Sequence, residues 1–161
     1  MKALLAFTTR LSFFALLLIA GLSSCSKDDE PENTDVVTKN GIPLQGSQEV
    51  PVPPAPPVVT SGSGTVDISY TKSTNMLMYT ATWTGLTAAA SNMHFHGPAA
   101  RGANAGVRIG VIGFPTATSG TVSGMATLTD EQETDLLANK YYYNIHTATY
   151  PGGELRGQIE F

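Results

Sequence analysis

From Gly62 onward, apolar and polar residues alternate along the chain, the period of strands with one face in a core and the other in water. Val66, Ile68 and Tyr70 alternate with Thr65, Asp67 and Ser69. Residues 71–75 carry turn chemistry. Beyond them Leu77, Tyr79, Ala81 and Trp83 line one face, with Met76, Met78, Thr80 and Thr82 on the other. Residues 91–96 predict a third strand, followed by a glycine-rich loop over 97–106. Val107, Ile109 and Val111 start a fourth strand, and Val122, Gly124, Ala126 and Leu128 form one face of a fifth. The period breaks once: Thr129 with Gln132 is a capping-box pattern, and Asp130, Glu131 and Glu133 favour a helix N-terminus. One short helix is therefore expected near 130–139. Two further strands, 141–147 and 154–161, are joined by a Tyr150-Pro151-Gly152-Gly153 turn. In the last, Leu155, Gly157, Ile159 and Phe161 are expected inward, with Glu154, Arg156, Gln158 and Glu160 facing the other way. The pattern predicts an all-β fold, an antiparallel β-sandwich or barrel of about seven to eight strands.

The upstream half lacks this regularity. Five prolines within 51–57 exclude a central strand and suit polyproline II or an irregular edge crossing. Gly41-Ile42-Pro43-Leu44 begins the segment able to bury something, which sets the expected domain at 41–161. Residues 26–40 are polar and charged and read as a flexible acidic tether. Before them, Lys2 and Arg10 precede an apolar run over 11–22 and the small residues Ser23 and Ser24, the order of a secretory signal peptide over 1–24. At about a dozen residues the run falls short of the roughly 18–20 needed to span a bilayer. Cys25 is the single cysteine, so no intramolecular disulfide forms. Leu22-Ser23-Ser24-Cys25 resembles a bacterial lipobox, and that resemblance implies a diacylglycerol thioether on Cys25 and a lipid anchor to a membrane. The following Ser26-Lys27-Asp28-Asp29-Glu30 has two readings. It is either a solvated acidic leader or, by resemblance to the surface-export signal of Bacteroidetes lipoproteins, an address to the exposed face of the outer membrane. Net charge is −4, and removal of the signal takes away basic residues only. With no basic patch, nucleic-acid binding is excluded.

Five segments carry a wider resemblance: Gln45-Gly46-Ser47-Gln48-Glu49-Val50-Pro51, His94-Phe95-His96-Gly97-Pro98-Ala99, Thr127-Leu128-Thr129, Asn144-Ile145-His146-Thr147, and Pro151-Gly152-Gly153-Glu154-Leu155-Arg156-Gly157-Gln158-Ile159. In this order over about 45–161 they resemble the CHRD domain, the module repeated in chordin and found singly in many bacterial secreted proteins. The resemblance implies no particular activity. In chordin the modules accompany binding of growth-factor ligands, a role that fold analogy does not transfer.

All three histidines, His94, His96 and His146, fall in these segments. His94 and His96 are two apart on an expected strand and share a face. If the strand bearing His146 lies nearby, three imidazoles converge, a set that suits copper or zinc with an open fourth position. The His-x-His strand is loosely similar to one in copper/zinc superoxide dismutases, whose remaining ligands have no counterparts here. The plainer reading has His96 capping the Gly97-Pro98 turn and His146 bonded to backbone. Glu49, Glu154 and Arg156 are expected to form a structural ion pair, Arg156 holding either carboxylate in bidentate fashion. Tyr141 and Tyr143 share one face, with Tyr142 on the other.

No catalytic constellation emerges: the serines lack a Gly-x-Ser-x-Gly setting, and no phosphate-binding glycine pattern is present. Two function classes follow. The preferred one is a non-enzymatic cell-envelope module that binds an extracellular protein or glycan or serves an envelope role. The alternative is a metal-binding protein, using the three histidines for copper or zinc, with redox chemistry open to it.

Overall fold

The computed structural model describes residues 35–53 and 55–161. The expected signal peptide, the lipidation site Cys25 and the tether as far as residue 34 lie outside the described residues. The strands are β1 (Val36–Gln45), β2 (Ser63–Thr71), β3 (Met76–Thr84), β4 (Ala90–His96), β5 (Val107–Gly110), β6 (Gly120–Thr127), β7 (Tyr141–Thr147) and β8 (Leu155–Ile159), with one α-helix, α1 (Asp130–Leu137). All pairings are antiparallel, and the order β5-β4-β7-β8-β1-β2-β3-β6 makes one nearly closed, barrel-like sheet. No helix among the described residues is long and apolar enough to cross a membrane.

The alternating residues of β2 and β3 do what their period predicts: Val66, Ile68, Tyr70, Leu77, Ala81 and Trp83 are all within 1% of fully buried. Each large side chain removed from water in this way contributes about 1.5–3 kcal/mol. Phe95 meets Tyr79 and Tyr143 edge-on at 5.0 and 4.9 Å, and the Trp83 indole N–H donates to the Ala117 carbonyl at 3.2 Å. Helix α1 starts where the capping box places it. Thr129 Oγ1 accepts from the Gln132 amide at 3.2 Å, while Gln132 Oε1 accepts from the Thr129 amide at 2.9 Å.

Two boundaries differ from the sequence expectation. Residues 36–40, read as tether, are the first half of β1, paired with β2 from Val36↔Thr71 to Lys39↔Ile68. The ladder uses backbone groups and needs no apolar alternation. Asp35 secures its start by accepting from the Ser73 amide and hydroxyl at 2.8 and 2.6 Å. The strand then bulges between Lys39 and Ile42, with Gly41 in a left-handed conformation (φ 65°) and its amide donating to Asp67 at 2.6 Å.

The second difference concerns β8. Its residues alternate in direction as expected, but neither face is in water: Arg156 and Gln158 are as buried as Leu155 and Ile159. The loop over 97–106 covers them. Arg156 donates to Asn104 Oδ1 (3.0 Å) and the Ala103 carbonyl (2.6 Å), and Gln158 Nε2 donates to the carbonyls of Ala99 and Asn139 (2.9 Å each). The β4-β7-β8 part of the sheet therefore has an apolar core on one side and a buried polar layer on the other.

Candidate metal centre and adjoining cavity

The register of β4 on β7 sets the polar layer. Asn92 lies opposite His146, His94 opposite Asn144, and His96 opposite Tyr142, so these six share a face. The next strand continues it through Asn144↔Arg156 and Tyr142↔Gln158. His94 and His96, two apart on β4, point the same way, and the antiparallel register brings His146 beside them. One ring nitrogen from each histidine lies within 4.8 Å of the other two.

Hydrogen bonds fix which nitrogens are free. His146 Nδ1–H donates to the Pro151 carbonyl at 2.8 Å, because a carbonyl can only accept, so Nε2 keeps its lone pair. That atom is 3.2 Å from His94 Nδ1. His96 Nδ1–H donates to the Ala105 carbonyl at 3.0 Å, which leaves Nε2, 3.0 Å from Asn144 Oδ1. Two oxygen neighbours would suit a doubly protonated His96, but burial opposes that charge. In the neutral ring Nε2 is a bare acceptor, open to an N–H from a turned Asn144 amide or, with that amide displaced, to a metal ion.

The electrostatics favour three neutral rings. Burial, then the neighbouring His146 and His96, pushes His94 down to about 4. Burial also lowers His96 and His146, against the opposing effect of their carbonyl partners. Neutral imidazoles with their distal N–H groups held by carbonyls are the form that ligates a metal.

A metal at 2.0–2.1 Å from three nitrogens requires every pair to lie within about 4.2 Å. In a tetrahedral site that limit tightens to about 3.4 Å for each pair; the His94–His146 pair, at 3.2 Å, meets it, and the remaining separations, within 4.8 Å, must close by at most about 1.4 Å. A depression of about 340 Å³ beside His94 and His146, floored by Asn92 and Pro151, leaves one side open.

His96 also borders a larger cavity of about 490 Å³, between the sheet residues Tyr142 and Asn144, the proline-rich segment and the Thr149–Gly153 turn. Its walls include Val50, Val52 and Val58, and Glu49 lies in its lining. Glu49 Oε1 is buried without a hydrogen-bond partner. Burial pushes this carboxyl up to about 7, against the attraction of Arg156 and contact with Asn144. Gly153 (φ 129°) is required here, since a Cβ at that position would collide with the Glu49 carboxyl.

The expected ion pair does not form. Glu154 lies just before β8, and its carboxylate accepts from Thr60 Oγ1 (2.6 Å), the Thr87 amide (2.8 Å), Thr87 Oγ1 (2.7 Å) and Thr147 Oγ1 (2.7 Å). Burial raises its pKa, but these neutral donors hold it below the ordinary carboxylate value. Arg156 is taken up by Asn104 and Ala103 and lies 3.4 Å over the Tyr142 ring, feeling Glu49 only through charge attraction. The close ion pairs among the described residues are instead Arg101–Glu160 (3.0 Å) and Lys140–Asp135 (3.6 Å).

Sequence reasoning placed the histidines as candidates, and its plainer reading of His146 as bonded to backbone is met at the Pro151 carbonyl, but it missed Asn144, the Ala105 carbonyl and the cavity. Asn144 could have been found: it is two residues before His146 and therefore on the same strand face. The match to a known family completes the picture. The model of the CHRD domain matches residues 41–159. The chain belongs to the CHRD domain family. No curated protein and no solved structure matches it. The CHRD domain match takes in all three histidines, Glu49 and the turn that supplies the Pro151 carbonyl.

Proposed function

We propose that this CHRD domain is a non-enzymatic binding module of the bacterial envelope whose ligand is a copper or zinc ion held by His94, His96 and His146. The observation that carries the reading is the neutral imidazole cluster with two distal N–H groups fixed by the Ala105 and Pro151 carbonyls. An imidazole set serves both metals, and a His₃ set leaves a position for a further ligand. The signal-like N-terminus and the lipobox-like Cys25 support placement on the outer membrane, with the acidic residues after Cys25 favouring its exposed face.

The test is metal content and linkage. The purified protein is expected to retain near-stoichiometric copper or zinc. Added metal at 100 times its Kd should stabilise the native state by about 2.7 kcal/mol. His96→Ala should abolish the metal-dependent rise in Tm, beyond any loss of stability seen without metal. A wild type with no bound metal and no metal-dependent shift refutes the reading.

A second reading, a small polar ligand such as a glycan fragment, is favoured by the unpartnered Glu49 Oε1 in the 490 Å³ cavity. A hydroxyl donor there would complete the carboxyl's hydrogen bonding.

A further inference from the structure

The outward faces of β3 and β6 meet in a regular ladder of hydroxyl pairs. Thr84 bonds Ser119 at 3.1 Å, Thr82 bonds Thr121 at 3.0 Å, and Thr80 bonds Ser123 at 2.8 Å. At the next rung the chemistry changes: Met78 stands directly opposite Met125, and Met76, two residues along the same face, stands opposite Thr127. Met78 is 50% exposed and Met125 66% exposed.

Methionine is among the residue types most often buried, and on a solvated sheet face it gains little from the hydrophobic effect. Met93, by contrast, is fully buried in the core, where its sulfur accepts from Tyr143 OH at 3.2 Å. Directly opposed Cβ atoms are about 4.5–5.5 Å apart, and diagonal neighbours remain within reach of long side chains. Unbranched, flexible thioethers can therefore turn their sulfurs toward a common point.

We infer that Met76, Met78 and Met125 form a second metal site, a surface thioether site for a soft monovalent ion such as Cu(I) or Ag(I). Thioether ligation selects soft ions and offers little to zinc, calcium or magnesium. Asp67, the one carboxylate among the described residues lining the adjoining groove, accepts from the Gly41 amide at 2.6 Å, and a single carboxylate does not make the multi-oxygen cage a hard cation takes. The site does not depend on the histidine cluster. It lies on β3 and β6, whereas the histidines lie on β4 and β7, and neither strand of one pair bonds to a strand of the other.

The experiment uses the full chain with Cys25→Ala, so that no thiol captures the ion, labelled with ¹³C at the methionine methyls. Ag(I) serves as the redox-stable probe. Titration should shift the methyls of Met78 and Met125, with Met76 following, while Met93 stays in place. Zn(II) should leave all of these unmoved, whether or not the histidines bind it. The double variant Met78→Leu/Met125→Leu removes both thioethers at exposed positions and should fold as before, checked by its Tm. It should lose one equivalent of bound Ag(I) and the Met76 shift. If Ag(I) binds elsewhere while the Met78 and Met125 methyls do not move, or the double variant binds as many equivalents as the parent, the site does not exist. Failure of zinc or copper to bind the histidines would leave this result untouched.

Discussion

Glu49→Gln separates the buried carboxyl described here from a stabilising ion pair. In the folded protein Glu49 titrates at about 7, against an ordinary value of 4.5. Between those values the native state holds a proton that the unfolded chain has released. A raised folded pKa means that stability is fully present below pH 4.5 and is lost as pH rises through 7. The full loss is 2.5 units at 1.36 kcal/mol, or about 3 kcal/mol. Glutamine mimics the protonated carboxyl and cannot ionise, so it escapes this loss. The stability difference, variant minus wild type, should be near zero at pH 4.5 and grow to about 3 kcal/mol by pH 8, on the order of 10 °C in Tm for a domain of this size. The histidines, with lowered folded pKa values, add stability as pH rises from His94's value of about 4 toward 6.5, but they do so in both proteins and cancel in the difference. Thermal unfolding at half-unit pH steps, with a chelator present, measures it. A flat difference would mean that Glu49 is not held neutral by burial. A difference of the opposite sign, with wild type gaining on the variant as pH rises, would restore the Glu49–Arg156 ion pair and overturn the account of the cavity.

Two other outcomes follow from the fold and from the proposed anchor. A chain beginning at Asn40 loses the ladder from Val36↔Thr71 to Lys39↔Ile68, and with it Asp35. At roughly 0.5–1 kcal/mol per lost hydrogen bond it should be about 2–4 kcal/mol less stable than one beginning at Asn33, as read by urea unfolding. Equal midpoints would return residues 36–40 to the tether. Cys25→Ala should release the protein from membranes on fractionation, because no other residue can carry the thioether. An acylated, membrane-bound Ala variant would refute the lipoprotein reading.

What was legible in the sequence was whatever local period or local capping controls. The buried face of β3 follows from alternation, and α1 follows from a hydrogen-bond exchange between Thr129 and Gln132, three residues apart. The first half of β1 was not legible, because its partners are backbone groups of β2 and its residues 38–40 are exposed. The burial of Arg156 and Gln158 was not legible because alternation gives direction but not cover, and the cover comes from a loop more than fifty residues earlier. The same limit applied to the candidate site. His94 and His96 were paired by the i, i+2 rule, whereas the arrival of His146 depends on the β4–β7 register. Glu49 looked like one half of an ion pair because a charge in sequence shows its sign but not its solvation.

The polar layer is itself an argument that this face of the sheet has a ligand. Each buried polar group left unpaired costs about 1–3 kcal/mol, and an apolar layer of the same shape would need none of the pairing that Arg156, Gln158, Asn144 and His96 require. Most of those atoms are satisfied by the loop over 97–106, so the layer is built rather than accidental. Of the three buried side-chain atoms left unpartnered among the described residues, one is Glu49 Oε1, at the cavity that His96 also borders. His94 and His146 meet each other at 3.2 Å through a bond that needs a proton on His94 Nδ1. In the other neutral tautomer His94 carries its proton on Nε2, and a metal ion between the rings would then draw on the Nδ1 and Nε2 lone pairs at once. The sheet thus carries its polar cost where a ligand can return it, and keeps its other face for packing.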